Sequence, residues 1–108
     1  MSVKLGVVNT FPDVEADKEQ ALKVLEESAE VFAAWQDWSM WNGRMDNSEN
    51  NYAAWVRATD AKHYLFEECA DVITAVCNLL AAFGVEDFTK WLQVVEEKNR
   101  DRGHYEEC

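Results

Sequence analysis

Only four glycines occur in 108 residues, scattered at positions 6, 43, 84 and 103, so the chain has no glycine-rich loop that could cradle phosphates with backbone N–H groups. Any phosphate must be held by side chains or through a metal ion. Basic residues are also scarce: ten Lys and Arg face 21 Asp and Glu, for a formal charge of −11. Such a surface repels a phosphate backbone and forfeits the counterion release that drives nucleic-acid binding, which excludes a nucleic-acid polymer as partner. No stretch approaches the roughly 20 apolar residues needed to cross a bilayer, and no basic region followed by an apolar run opens the chain, so no membrane partner and a cytoplasmic location are expected. Cysteine offers little. Cys69 and Cys77 fall in one helical segment and Cys108 ends the chain, with neither a disulfide framework nor metal-ligand spacing, which leaves reduced thiols.

What remains is 48% hydrophobic, enough for one modest core, and the expectation is a single domain over residues 1–108. Five Trp, five Phe and three Tyr exceed what three or four helices can hide in a monomer, so an oligomer is expected. Residues 1–14 alternate loosely (Val3, Leu5, Val7) before Phe11-Pro12 and read as an extended arm or short strand. Asp17 and Gln20 form a helix start with a reciprocal cap, and apolar residues at 21, 22, 25, 29, 32 and 35 carry a helix over about 17–41, ending at Asn42-Gly43. Residues 42–60 turn polar, with a short helix possible around Tyr52 to Val56. Leu65, Cys69, Val72, Val76, Leu79 and Phe83 mark a second long helix over about 61–83, stopped by Gly84. A third, about 86–101, carries Phe88, Trp91, Leu92 and Val95 on one side, before a short tail over 103–108. The fold class is all-α, a bundle of three to four helices per chain.

The two long helices repeat one heptapeptide pattern: Leu25-Glu26-Glu27-Ser28-Ala29-Glu30-Val31 and Phe66-Glu67-Glu68-Cys69-Ala70-Asp71-Val72. Acids at i and i+3 lie about 60° apart around a helix and one turn apart along it, so each pair points one way. Phased against their apolar stripes, Glu27 with Glu30 and Glu68 with Asp71 flank the core, whereas Glu26 and Glu67 turn toward solvent. Antiparallel packing through those faces brings four carboxylates together, at a cost of several kcal/mol unless a cation or protons compensate. An all-oxygen set without Cys or His favours Mg²⁺, or Mn²⁺, over zinc or copper, and Mg²⁺ held by few carboxylates keeps positions for phosphate oxygens. A solvated helix face is the ordinary role of clustered acids. That suffices for Glu26 and Glu67; the duplication at matched positions beside the core weighs against it for the other four.

Further along the same rows lie Ala34, Trp38 and Trp41, and Ala75 and Asn78. The alanines leave space, Asn78 can offer an amide to phosphate or sugar, and the Trp faces can stack on a base. In Lys98-Asn99-Arg100-Asp101-Arg102-Gly103, Lys98 and Arg102 are i, i+4 neighbours able to reach one polyphosphate, although cations also collect at helix C-termini for the dipole's sake.

Glu27-Ser-Ala-Glu30, Glu68-Cys-Ala-Asp71 and the segment 98–103 together resemble the MazG-like all-α NTP pyrophosphohydrolases. The likeness covers the two long helices and the C-terminal segment. It implies that the ExxE and ExxD pairs bind Mg²⁺, that Lys98, Asn99 and Arg102 contact the triphosphate, and that a (d)NTP is hydrolysed to the monophosphate and pyrophosphate, as in sanitation of the nucleotide pool. It also implies a homodimer or homotetramer whose chains complete one another's active sites. The stretch from Val31 to Glu67 is longer than the connection common in compact members and carries Trp38, Trp41 and Trp55, which leaves base specificity open. The chemistry expected is in-line attack on the α-phosphorus by water oriented by Glu27 or Glu30.

Two other readings fit parts of the pattern. A di-iron or di-manganese bundle also uses inward acids, but needs Glu-x-x-His pairs, and the only histidines here sit in Asp60-x-x-His63 and Asp101-x-x-His104. A non-catalytic acidic interaction protein or nucleic-acid mimic matches the charge, but has no use for matched acid pairs beside the core. Mg²⁺ thermal stabilisation separates the readings. Amide substitutions at Glu27, Glu30, Glu68 and Asp71 should abolish the Mg²⁺-induced rise in Tm, and the same change at Glu26 or Glu67 should leave most of it.

Overall fold

The computed structural model describes residues 1–47 and 51–105; Ser48 and Asn50 of the polar stretch, and the end of the tail with Cys108, lie outside the described residues. Three helices make up its regular structure: α1 (Lys18–Asn47), α2 (Asn51–Ala82) and α3 (Thr89–Asp101). No strand occurs among the described residues, and residues 1–11 run as an arm without helix or ladder. No helix among them is long and apolar enough to cross a membrane.

Local chemistry explains most boundaries. The Asp17 carboxylate accepts the Gln20 N–H at 2.8 Å and so caps α1. The Asp17 N–H donates to the Glu15 carbonyl at 2.9 Å rather than to Gln20, so half of the expected reciprocal cap forms. At the end of α2, Gly84 has φ 79°, and the N–H groups of Gly84 and Val85 close back onto the carbonyls of Ala81 and Leu80. α3 begins at Thr89, later than the expected 86, because Asp87 accepts the Thr89 N–H at 3.0 Å and makes Glu86 and Asp87 an entry turn.

The described residues of the polar stretch, 42–47 and 51–60, are helical. α1 continues through Asn42-Gly43 to Asn47, and the short helix around Tyr52 is the first turn of α2. A mid-helix glycine costs about 1 kcal/mol relative to alanine. Packing outweighs that here: Trp41, Asn42 and Met45 are half-buried, and Ala54 and Ala58 are buried where α2 meets α1.

The long helices form an antiparallel hairpin, with Gln20 near Asn78, Glu27 near Asp71 and Trp38 near Thr59. Its seam differs from the expected one. Ala34, Ala54, Ala58, Ala61 and Ala75 are buried in it, together with Glu68 and Asn78. Leu22, Leu25, Phe32 and Trp35, the stripe assigned to the core of α1, are instead 42–66% exposed. The small, polar-punctuated face lets the two backbones approach, which bulky Leu, Phe and Trp would prevent. α3 packs against neither long helix, and its Trp91, Leu92 and Val95 are at least half exposed. The radius of gyration is 17.9 Å, against about 13 Å for a compact chain of 100 residues.

Two glycine substitutions test these backbone assignments. Gly43 lies within α1, and a Cβ added there meets nothing within 4 Å. Gly43→Ala should therefore stabilise the fold by about 1 kcal/mol. Gly84→Ala, at positive φ, should destabilise it by about 1–2 kcal/mol. Chemical denaturation reads both; a loss of stability at position 43 would contradict a continuous α1.

Candidate metal centre and adjoining cavity

Glu27 projects from α1 and Glu68 and Asp71 from α2 so that one carboxylate oxygen of each lies within 4.8 Å of the others. This is the only group of three or more metal-capable side chains found among the described residues, and neither histidine nor cysteine belongs to it. The three acids differ in exposure: Glu68 is 5% exposed in the seam, Glu27 is half-buried and Asp71 faces solvent. Oε2 of Glu68 is buried without a hydrogen-bond partner. A dry, unpaired carboxylate oxygen is costly, and the economical compensation is a cation shared with neighbouring acids. The donor set, all oxygen and two-thirds on one rigid helix, fits a hard divalent ion.

Glu30 lies beside the triad rather than within it. Its carboxyl is held above the usual range, first by hydrogen bonding and repulsion from Glu27 and then by Glu68. Glu26 and Glu67 are exposed as expected, but so are Glu30 and Asp71, which phasing set beside the core; Glu26 faces Lys23 at 3.8 Å.

Two neighbours of the acids escaped the sequence reading. Lys23 places Nζ 3.3 Å from Oε1 of Glu27, and this pairing raises its pKa. The Tyr64 hydroxyl is likewise held above its ordinary value, chiefly by hydrogen bonding to Glu68 and by that carboxylate's charge. Both stand one helical turn before an acid of the triad, Lys23 before Glu27 and Tyr64 before Glu68. Stepping back by i−4 from each acid would have found them.

A cavity of about 420 Å³ opens beside the acids, with Glu27 and Asp71 at one end and Asn78 at the other. Ala75 and Thr74 form its floor on α2, Gln20 and Lys23 border it on α1, and Phe11 and Asp13 reach it from the arm. Asn78 is 3% exposed, and its Oδ1 accepts the Phe11 N–H at 2.9 Å. Ala75 therefore leaves space as expected, whereas Ala34 is a buried helix contact away from the cavity.

The remaining candidates lie elsewhere. Trp38 lines a separate cleft of about 90 Å³ with Asn42, Thr59 and Lys62. Trp41 is engaged by two guanidinium groups, Arg44 at 4.7 Å and Arg57 at 4.8 Å from the ring centre, which competes with base stacking. Lys98, Asn99 and Arg102 ride on or just after α3, which does not pack on the hairpin. Cys69 and Cys77 are free, half-buried thiols.

No family model, curated protein or solved structure matches the chain in comparisons of sequence and fold.

Glu30 supplies a pH test in the metal-free protein. Its folded pKa lies above the unfolded one, so its contribution to stability is fully present below the unfolded value and is lost as pH rises through the folded one. Glu30→Gln should accordingly raise Tm at pH 7 in chelator and flatten the decline of Tm above the ordinary carboxylate range. A lower Tm for the variant would count against mutual repulsion in the cluster.

Proposed function

We propose that the protein is a Mg²⁺-dependent nucleoside triphosphate pyrophosphohydrolase of MazG-like type, converting a (d)NTP and water to the (d)NMP and pyrophosphate. The observation that carries this reading is the orphaned, buried Glu68 oxygen within a three-carboxylate cluster that borders a ligand-sized cavity. Pockets of about 300–1,000 Å³ hold small molecules of nucleotide size. A nucleic-acid mimic would use the surface charge but leaves Glu68 unexplained.

Glu27, Glu68 and Asp71 would hold Mg²⁺, which when bound neutralises phosphate oxygens and aligns the chain for displacement. Glu30, outside the triad on its exposed edge, orients the attacking water and takes its proton. The water oxygen adds in line to the α-phosphorus, the bond to the bridging oxygen breaks, and the electron pair leaves with pyrophosphate. Lys23, already paired with Glu27, is the one lysine or arginine bordering the cavity among the described residues and can shift to a phosphate oxygen once a metal ion takes over its partner.

Further cations come from Lys98 and Arg102, with Asn99, and these must arrive from another copy. α3 stands clear of its own hairpin, while the exposed Leu25, Phe32 and Trp35 of α1 and Trp91, Leu92 and Val95 of α3 form apolar faces that a second copy would cover. A homodimer or homotetramer with shared sites satisfies both requirements.

The deciding experiment follows products by phosphorus NMR over a panel of canonical and damaged dNTPs with Mg²⁺. Pyrophosphate and the monophosphate should form in equal amounts, and Glu68→Gln should lower the rate by at least 10²-fold, consistent with removal of a group on which the metal site depends. Orthophosphate as the first product, or a rate indifferent to Glu68, would falsify the assignment.

A further inference from the structure

One wall of the cavity beside the acids comes from outside the helical hairpin. Phe11 and Asp13 of the N-terminal arm line it together with Asp71, Thr74, Ala75 and Asn78. A hydrogen bond of long reach fastens that wall: the Phe11 N–H donates to Oδ1 of Asn78 across 67 residues. Because an N–H can only donate, the amide atom facing Phe11 must be oxygen, and Asn78 has its NH₂ left to offer a ligand in the cavity it lines. Asn78 is also 3% exposed, so its orientation is set by the protein and not by bulk water.

The sequence after Phe11 supports the same placement. Pro12 fixes its own φ and holds Phe11 in the extended region, and the turn at Pro12-Asp13 then carries the chain toward α1. Phe11 is thus anchored by its backbone, while the residue as a whole stays 62% exposed at the cavity wall. An aromatic face held in place without being packed away suits a planar ligand. Asp71 and Asn78 are seven residues apart on α2, about 10 Å along the axis. That spacing matches a nucleoside whose phosphates lie at the acids.

We propose that the arm forms the nucleoside wall of the pocket, with Phe11 stacking on the base and the Asn78 NH₂ donating to an acceptor on the base or sugar. This rests on the triphosphate reading above and adds the residues that select the nucleoside. Tripolyphosphate separates the two claims because it offers the same phosphoanhydride to the metal site and nothing to the arm.

The test measures kcat/KM for dNTPs and for tripolyphosphate with wild type, Phe11→Ala and Phe11→Tyr. Phe11→Ala should lower the dNTP-to-tripolyphosphate ratio of kcat/KM about tenfold, mainly through KM for the dNTP, and Phe11→Tyr should restore it. An unchanged ratio overturns the arm's role and leaves the hydrolase reading standing; a wild type that cleaves neither compound overturns the hydrolase reading and the arm's role with it. Amide hydrogen exchange checks the anchor without catalysis. The Phe11 N–H should be protected in the wild type and exchange at least tenfold faster in Asn78→Ala; an unprotected Phe11 amide in the wild type also overturns the proposal.

Discussion

Glu68 sets the terms for the rest of the molecule. A carboxylate 5% exposed between two helices, with one oxygen unpartnered, and with Glu27 and Asp71 within a few ångströms, is tolerable only if positive charge enters the seam. Lys23 reaches Glu27 from one side, and Glu30 responds by holding its proton more tightly than an isolated glutamate. These are the partial remedies open to a protein without a divalent ion. On the proposed function, a dication bound by the three acids would address the imbalance at its centre, and the positions that Mg²⁺ keeps when few protein ligands hold it would be open to phosphate oxygens.

The alanine-rich seam follows from the same constraint. Carboxylates from two helices converge within 4.8 Å only if the backbones approach closely, and buried Ala34, Ala54, Ala58, Ala61 and Ala75 permit that approach. The consequence is a hairpin that buries little apolar volume: no large side chain is fully buried among the described residues. Covering the outward stripes of α1 and α3, as the proposed homo-oligomer would, adds roughly 25 cal/mol per Å² of apolar surface. The acid cluster and the exposed apolar stripes are therefore two results of one choice, placing small and acidic residues inside and large apolar ones outside.

That choice also decides what the sequence could disclose. The duplicated acid pattern, the Asp17 cap and the Gly84 stop are local signals; three of the four acids converge, half of the reciprocal cap forms, and α2 ends just before Gly84. Hydrophobic periodicity identified α1 correctly as a helix but named the wrong face as the seam, because it ranks Leu25, Phe32 and Trp35 above Ala34 and a half-buried Glu27. Gly43 and the polar composition of 42–60 suggested an end to α1 and at most a short helix around Tyr52 to Val56; residues 42–47 and 51–60 are helical instead, with Ala54 and Ala58 buried against α1. The anchoring of Phe11 by Asn78 joins positions 67 residues apart, and no local pattern could have announced it. Lys23 and Tyr64 lay within reach of simple i−4 spacing.

If the cavity takes a triphosphate, as proposed, its acidity constrains the form in which that ligand can enter. Asp13, Glu15, Asp17 and Glu19 line it in addition to Glu27 and Asp71, against Lys23 as the one lysine or arginine among the described residues. Two like charges about 6 Å apart repel by roughly 0.7 kcal/mol in bulk water and about 3 kcal/mol at an effective dielectric near 20. Several such terms act together on a bare triphosphate, which carries about four negative charges, and their sum exceeds what one lysine returns. A magnesium nucleotide complex brings two positive charges with it and reduces the repulsion from the acids instead of adding to it. Under the proposed function, the negative lining would therefore disfavour free nucleotide and metal-free phosphate oligomers, and metal and substrate would be taken up together.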